Sequence, residues 1–301
     1  MGNYFRTYIE QIHPRLWLRK QYYCLLTRIS PELNTKRMYK SKFGRKLDLQ
    51  NPITLNEKLL KWKLESFHKD KLVRQCADKY AVREYIKEKG CEDILVPLIA
   101  VYDSVEEICW DSMPDSFVIK WNFGCGFNII CPDKSKLDIE KTKKALRKWG
   151  RTKFHLFFAE MQYDIKDKKI IVEKYLKPEE GILPEDYKIY CFHGKPMYTM
   201  VCTDRKAAGM AKYYFFDDKW ELARINRDSK TAPEGFQLPR PKCFDKLLEV
   251  AGKLSEPFPF VRADFYIVDD KVYFGELTFT PAAAMDNKRL PETDIMFGKL
   301  F

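Results

Sequence analysis

Apolar positions in this chain repeat with two different periods. Near the start, Tyr4, Phe5, Tyr8, Ile9, Ile12, Leu16, Trp17, Tyr22, Tyr23, Leu25 and Leu26 recur at roughly helical spacing, interleaved with arginines. The run Asn51-Pro-Ile-Thr-Leu-Asn-Glu-Lys58 reads as a helix start, with Thr54 as cap, Glu57 completing a capping box and Leu55, Leu59, Leu60 and Trp62 as the apolar stripe. A second helix is expected over about 72–88, on Val73, Cys76, Tyr80, Val82 and Tyr85, ending at Gly90. Strands are expected at Ile94–Val101, Phe117–Lys120, Ile170–Tyr175 and Tyr187–Phe192, and helices at 138–149 and 242–254. The alternation predicts an α+β protein with mixed strands.

The alternating segment Val261–Phe279 predicts a hairpin. Val261, Ala263, Phe265 and Ile267 form one apolar face, and Tyr273, Leu277 and Phe279 the matching one around Gly275. Burying both on one side pairs residues whose numbers sum to 540, with a three-residue loop Asp269–Lys271. Asp264 then faces Glu276, with Arg262 and Thr278 on the same side. Opposed carboxylates repel unless a cation lies between them, and Mg²⁺ with phosphate oxygens meets that need. A solvated outer face is the alternative.

Composition narrows the class. The 301 residues are 45% hydrophobic and 15% aromatic, enough for a large core and against disorder. Nine cysteines, with no C-x-x-C, argue against a disulfide framework or zinc site and fit a reducing cytosol. No apolar run spans a membrane and no secretory signal is seen. Of the net charge of +11, residues 1–46 carry +9. This basic, aromatic arm suits an anionic membrane surface, or packs on its own body with a solvated face; no nucleic-acid-binding motif accompanies it.

Two further segments carry candidate chemistry. Phe117-Val-Ile-Lys120 leads into Gly124-Cys-Gly126 and another strand, so a lysine and a glycine loop can clasp phosphate, although an ordinary hairpin turn also fits. Ile170-Ile-Val-Glu173-Lys174-Tyr-Leu176, followed by Glu179-Glu180, ends an apolar strand in groups able to bind adenine and ribose. His193-Gly194 reads as a turn.

In this order, N-P-I-T-L-N-E-K, Ala77-Asp-Lys-Tyr-Ala-Val-Arg83, F-V-I-K…G-C-G-F-N-I-I, I-I-V-E-K-Y-L, Asp186-Tyr-Lys-Ile-Tyr and G-E-L-T-F-T-P resemble the ATP-grasp superfamily, in its TupA-like, teichuronopeptide-biosynthesis branch. The resemblance implies two α+β subdomains clamping ATP: an arm over 1–46, an N-terminal subdomain over 47–112, a lid with the glycine loop over 113–172 and a C-terminal magnesium subdomain over 173–301. It implies ATP contacts from Lys79, Lys120, Gly124, Gly126, Glu173, Lys174, Leu176, Glu180 and Lys188. Lys188 and Arg262 would meet transferring phosphate, and Asp264, Glu276 and Thr278 would hold Mg²⁺. Thr278 stands where many relatives have Asn, and Pro281-Ala-Ala-Ala284 where many have glycines.

The implied activity is an ATP-dependent carboxylate–amine ligase, cytoplasmic or at the inner membrane face. Its substrates would be an amine and an anionic saccharide or peptide carboxylate of a cell-surface polysaccharide. A glycosyltransferase, a kinase, or an inactive glycan- or membrane-binding scaffold are the rivals. A chain beginning near residue 47 is expected to keep turnover if the arm is only an appendage.

Overall fold

The computed structural model describes residues 14–178, 181–203 and 211–301. Glu180, expected at the ribose, lies outside the described residues, as do residues 1–13, Arg205 and Lys206.

The arm folds into helices α1 (Pro14–Ile29) and α2 (Pro31–Phe43), capped by Ser30 and closed by Gly44. Their inner faces are part of the main core through Tyr23, Met38 and Tyr39. Thr27 Oγ1 donates to the Leu156 carbonyl at 2.6 Å, and Asn34 Nδ2 to that of Phe157 at 2.9 Å. Of the two readings for residues 1–46, packing on the body therefore holds for the described part. A chain beginning near 47 would lack the wholly buried Tyr39, and a large buried side chain contributes about 1.5–3 kcal/mol.

Helix α3 (Leu55–Trp62) has the predicted capping box, with both Thr54 and Glu57 bonds made. Glu57 does more, accepting from Tyr39 Oη at 2.8 Å and pairing with Arg45. Asn56 donates to the Asp286 carbonyl at 2.9 Å and to Asp294 at 3.0 Å. The expected helix over 72–88 is broken into α4 (Lys71–Ala77) and α5 (Val82–Glu88). At the break Asp78 turns extended, and its carboxylate accepts from Tyr80 N, Ala81 N and Asn122 Nδ2. An aspartate that satisfies its own backbone in this way competes with the helix.

A four-stranded antiparallel sheet follows in the order β1-β4-β2-β3, from β1 (Leu98–Tyr102), β2 (Phe117–Trp121), β3 (Asn128–Cys131) and β4 (Ile170–Lys174). The strand expected at Ile94–Val101 begins later, after a 3₁₀ turn over Glu92–Ile94. Phe117, Ile119, Ile170 and Val172 form one buried face with Leu146 and Trp149 of α6 (Ile139–Gly150). Lys120 and Glu173 point from the other. This sheet draws β1 from before residue 112 and ends β4 beyond residue 172.

The second sheet is six-stranded and antiparallel, ordered β10-β9-β5-β6-β7-β8. It comprises β5 (Asp186–Phe192), β6 (Lys195–Thr203), β7 (Lys212–Phe216), β8 (Leu222–Ala223), β9 (Phe260–Val268) and β10 (Lys271–Thr278). A short helix α7 (Arg227–Lys230) follows β8, and α8 (Phe244–Ser255) lies across β5, β6 and β9. Phe244, Leu247, Val250, Ala251 and Leu254 of α8 cover one face of the sheet; the other is shared between rings, Tyr190 and Tyr198 against Phe297, and polar groups. The chain ends in α9 (Pro291–Leu300) beside α3.

The β9–β10 hairpin departs from the expected loop. The turn has two residues, Asp269 and Asp270, both with positive φ, and pairs near it sum to 539, such as Val272↔Ile267. Beyond Gly275 the pairs sum to 540, as in Glu276↔Asp264. A bulge at Gly275 supplies the missing residue, so Leu277 and Phe279 keep the expected buried face while Val272 and Phe274 occupy it before the bulge in place of Tyr273, which pairs with Tyr266. An added Cβ there would lie 2.9 Å from the Asp264 carbonyl oxygen.

Candidate functional site

Cross-strand register builds the site. Lys188 on β5 pairs with Asp264 on β9, which pairs with Glu276 on β10; one step along, Tyr190 pairs with Arg262 and Arg262 with Thr278. Two polar rows thus cross three strands on the face opposite α8. Arg262 grips Asp264 with two bonds of 2.7 Å, and Lys188 adds a third at 2.7 Å while reaching Asp186 at 2.6 Å. Burial favours the neutral acid at Asp264, yet Arg262 and Lys188 hold its carboxyl below the usual range. The same pairing keeps both cations charged against the pull of burial.

Both Asp264 oxygens are therefore engaged by protein cations. Glu276 is different: its half-exposed carboxylate accepts from Thr278 Oγ1 at 3.0 Å and lies 3.8 Å from Arg262. Among the described residues no three His, Cys, Asp or Glu side chains form a metal cage. The donor set fits Mg²⁺ in its usual form, shared with phosphate oxygens and needing only one or two carboxylates. Glu276 would be the direct ligand, with Thr278 beside it and Asp264 behind.

A cavity of about 1170 Å³ opens over this face. It gathers Lys79, Gly124, Gly126, Lys188, Arg262, Glu276 and Thr278 on one wall system. The helix break at Asp78 sets Lys79, whose N–H donates to the Asn122 carbonyl at 2.9 Å and whose ammonium donates to the Gly124 carbonyl at 2.5 Å. Burial lowers the Lys79 pKa, partly offset by Glu276 across the cavity. Gly124 and Gly126 take φ of 74° and 75°, a conformation glycine adopts freely, and they turn the loop over the cavity. Lys120 and Glu173 sit beside this cavity rather than on it, joined at 2.7 Å, with Arg83 3.4 Å from the same carboxylate. Lys174 is exposed at the end of β4 and Leu176 is half-buried, both away from the cavity wall. His193 lies in the β5–β6 turn, as expected.

Sequence reasoning missed the floor of the cavity. Glu160 is buried there, accepting from Thr280 Oγ1 at 2.6 Å, and Gln162 donates to that hydroxyl at 3.1 Å. Burial raises the Glu160 pKa. Lys63, at the start of a π-helical turn over Lys63–Phe67, is fully buried and donates to the Phe158 carbonyl at 2.8 Å. Burial lowers its pKa to about 8. Arg289 is buried against Asp294 at 2.6 Å, bracing the loop after β10. That loop carries Ala282, Ala283 and Ala284 at φ of 52°, 59° and 57°, where glycine would be unstrained. Glu160 and Lys63 have no local signal, since their partners Thr280 and Phe158 lie 120 and 95 residues away in the chain.

Comparison with curated proteins found no match. Among solved structures, D-alanine–D-alanine ligase from Bacillus anthracis, complexed with ATP, is 16% identical, with 74% of this chain and 61% of that chain covered and a TM-score of 0.46. The L-amino acid ligase from Bacillus licheniformis is 13% identical, with 68% and 41% covered and a TM-score of 0.41. The chain thus spans about three fifths of the length of the first of these. The family comparison reaches further, matching the TupA-like ATPgrasp family over residues 57–301, a span that takes in the Lys79 break, the glycine loop and both polar rows. On that match the chain belongs to the TupA-like ATP-grasp family and has the ATP-grasp fold.

Proposed function

We propose that the chain is an Mg-ATP-dependent carboxylate–amine ligase. A substrate carboxylate attacks the γ-phosphorus of ATP, ADP leaves, and the resulting acyl phosphate gives its acyl group to an amine with release of phosphate. The observation carrying this reading is the row Lys188–Asp264–Glu276 facing Lys79 and the Gly124–Gly126 loop across one cavity, in a chain of this family. Arg262 and Lys188, kept charged by Asp264, supply fixed positive charge where a phosphoryl group would transfer. Lys79 and the loop N–H groups would hold the phosphates, while Glu173, Lys174 and Leu176, expected at the adenine, lie off the wall of this cavity. Bound Mg²⁺ would neutralise phosphate charge from Glu276. The cavity exceeds the 300–1,000 Å³ usual for a single small ligand, which leaves room for a second substrate. No nucleophilic side chain is required.

The carboxylate substrate in this reading is a uronate or peptide acid of a cell-surface polysaccharide or its precursor, handled at the inner membrane face. Exposed Leu18, Tyr22, Leu25 and Ile29 fall on one stripe of α1, with Arg15 and Arg28 beside it, which suits peripheral contact with anionic lipid. No described helix is long and apolar enough to cross a membrane.

Thermal unfolding with and without Mg-ATP tests the nucleotide site. At about 100 times its Kd the ligand adds roughly 2.7 kcal/mol, a Tm rise of about 5 °C at roughly 2 °C per kcal/mol. Lys79→Ala and Glu276→Gln should each reduce the rise. A folded wild type that shows no rise overturns the reading. ADP release that never depends on an amine would make the enzyme a kinase instead.

A further inference from the structure

The arm contributes wall as well as core. Leu16, Arg19, Lys20 and Tyr23 of α1 and Met38, Ser41 and Lys42 of α2 line the same cavity as Glu276 and Arg262. Facing them are Lys148 at the end of α6 and Lys153 just beyond it. Among the described residues the wall holds ten Lys and Arg side chains but only three acids, Glu160, Glu276 and Asp286.

The cations divide by their pairing. Lys188 and Arg262 share Asp264 as a counter-ion. On α6, the lysine and arginine turned away from the cavity are also paired, Lys143 with Glu140 at 2.8 Å and Arg147 with Glu106 at 2.9 Å. Arg19, Lys148 and Lys153, which are exposed and line the cavity, have no carboxylate partner among the described residues. Lys20 lies near enough to Lys148 to add to the effect of burial in lowering that lysine's pKa. Like charges gathered at a rim without acids imply an anionic occupant. Beside them stand the partly exposed rings of Phe154 and Phe157. Flat apolar rings beside cations suit pyranose rings bearing carboxylates, since the sugar's C–H face packs on the ring and the acid meets the cation.

We infer that α1 and α2, with the Lys148–Lys153 segment, form the carboxylate-substrate subsite of this enzyme, and that it takes a chain end of uronic acid sugars. This deepens the reading above and rests on it for the reaction, although not for the binding itself. The arm is then a substrate-recognition element, anchored on the Leu156–Phe157 segment and forming part of the cavity wall.

Calorimetric titration with trigalacturonate, maltotriose and triglutamate tests the inference. Wild type should bind trigalacturonate at least ten-fold more tightly than neutral maltotriose, with affinity falling as salt rises. The exposed double variant Arg19→Ala/Lys148→Ala should lose at least ten-fold, whereas Lys143→Ala, on the outer side of α6, should bind as wild type does. No trigalacturonate binding, or equal binding by the double variant, overturns the subsite. Tighter binding of triglutamate overturns the sugar assignment in favour of an acidic peptide. Mg-ATP stabilisation of wild type, read in parallel, isolates failure of the nucleotide reading: its absence beside intact trigalacturonate binding counts against ATP and not against the subsite.

Discussion

Replacing Gly275 by Ala separates the bulge from every other feature of the hairpin. Its φ lies outside the left-handed region, so an alanine meets no backbone strain and the cost is purely steric. The new Cβ would sit 2.9 Å from the Asp264 carbonyl oxygen and 3.3 Å from its carbon, both backbone atoms of β9. Ordinary contact needs about 0.5 Å more, which only a local parting of β9 and β10 provides. Overpacking of this kind costs about 1–3 kcal/mol, so Tm should fall roughly 2–6 °C. The parting also moves Glu276 relative to Asp264, so Mg-ATP should bind at least about ten-fold more weakly, about 1.4 kcal/mol. Gly252→Ala is the control. It sits inside α8, where the added Cβ makes only contacts of 3.5 Å and longer, and helix propensity should stabilise the protein by up to about 1 kcal/mol. Urea unfolding of the three proteins, with and without Mg-ATP, gives both quantities. Wild-type stability and nucleotide affinity in Gly275→Ala would refute the close approach at the bulge.

Asp264→Asn strips the buried Arg262 and Lys188 of their shared anion and should cost about 3–5 kcal/mol in denaturant unfolding at neutral pH. Because the folded-state pKa of Asp264 is depressed, wild type should lose this advantage as pH falls below about 4, and the two proteins should converge in acid. Lys63 titrates in the opposite sense. With its folded pKa lowered to about 8, the unfolded chain binds the extra proton between there and the ordinary lysine value. Wild type should therefore gain stability relative to Lys63→Met as pH rises from about 8 to about 10.5, and a flat difference would refute the burial argument. Ala282→Gly, at an exposed position with φ of 52°, should stabilise by about 0.5–1 kcal/mol in the same assay, and a loss would show that the alanine is not strained.

What could be read from the sequence was whatever a short stretch determines alone. The capping box of Thr54 and Glu57 is local and formed as expected. The Asp264–Glu276 pairing followed from placing two apolar faces on one side, and it holds. The bulge that reconciles this pairing with a two-residue turn left no trace, because a glycine among alternating residues has no pattern of its own. The break at Asp78 was masked differently: apolar positions keep helical spacing through it, although the aspartate's bonds to Tyr80 N and Ala81 N are local. Glu160 and Thr280 meet across 120 residues, which no local period can announce. Asp264 itself was legible as a site residue, but not as the shared counter-ion of two cations, since Lys188 arrives from a third strand.

The arm's anchors have a consequence in time. Thr27 waits for the carbonyl of Leu156, 129 residues later, and Asn34 for that of Phe157. At a synthesis rate of about 5–20 residues per second, that is a delay of roughly 6–25 s before the anchoring segment even exists. During this interval Tyr39 can meet Phe43 and Glu57, but Tyr23 lacks the Phe157 ring it packs against, so the face of α1 that it shares stays open to water. A ribosome-bound chain of this sequence is sticky from its first hundred residues, and its safe folding depends on what shields that face until the second half of the lid emerges.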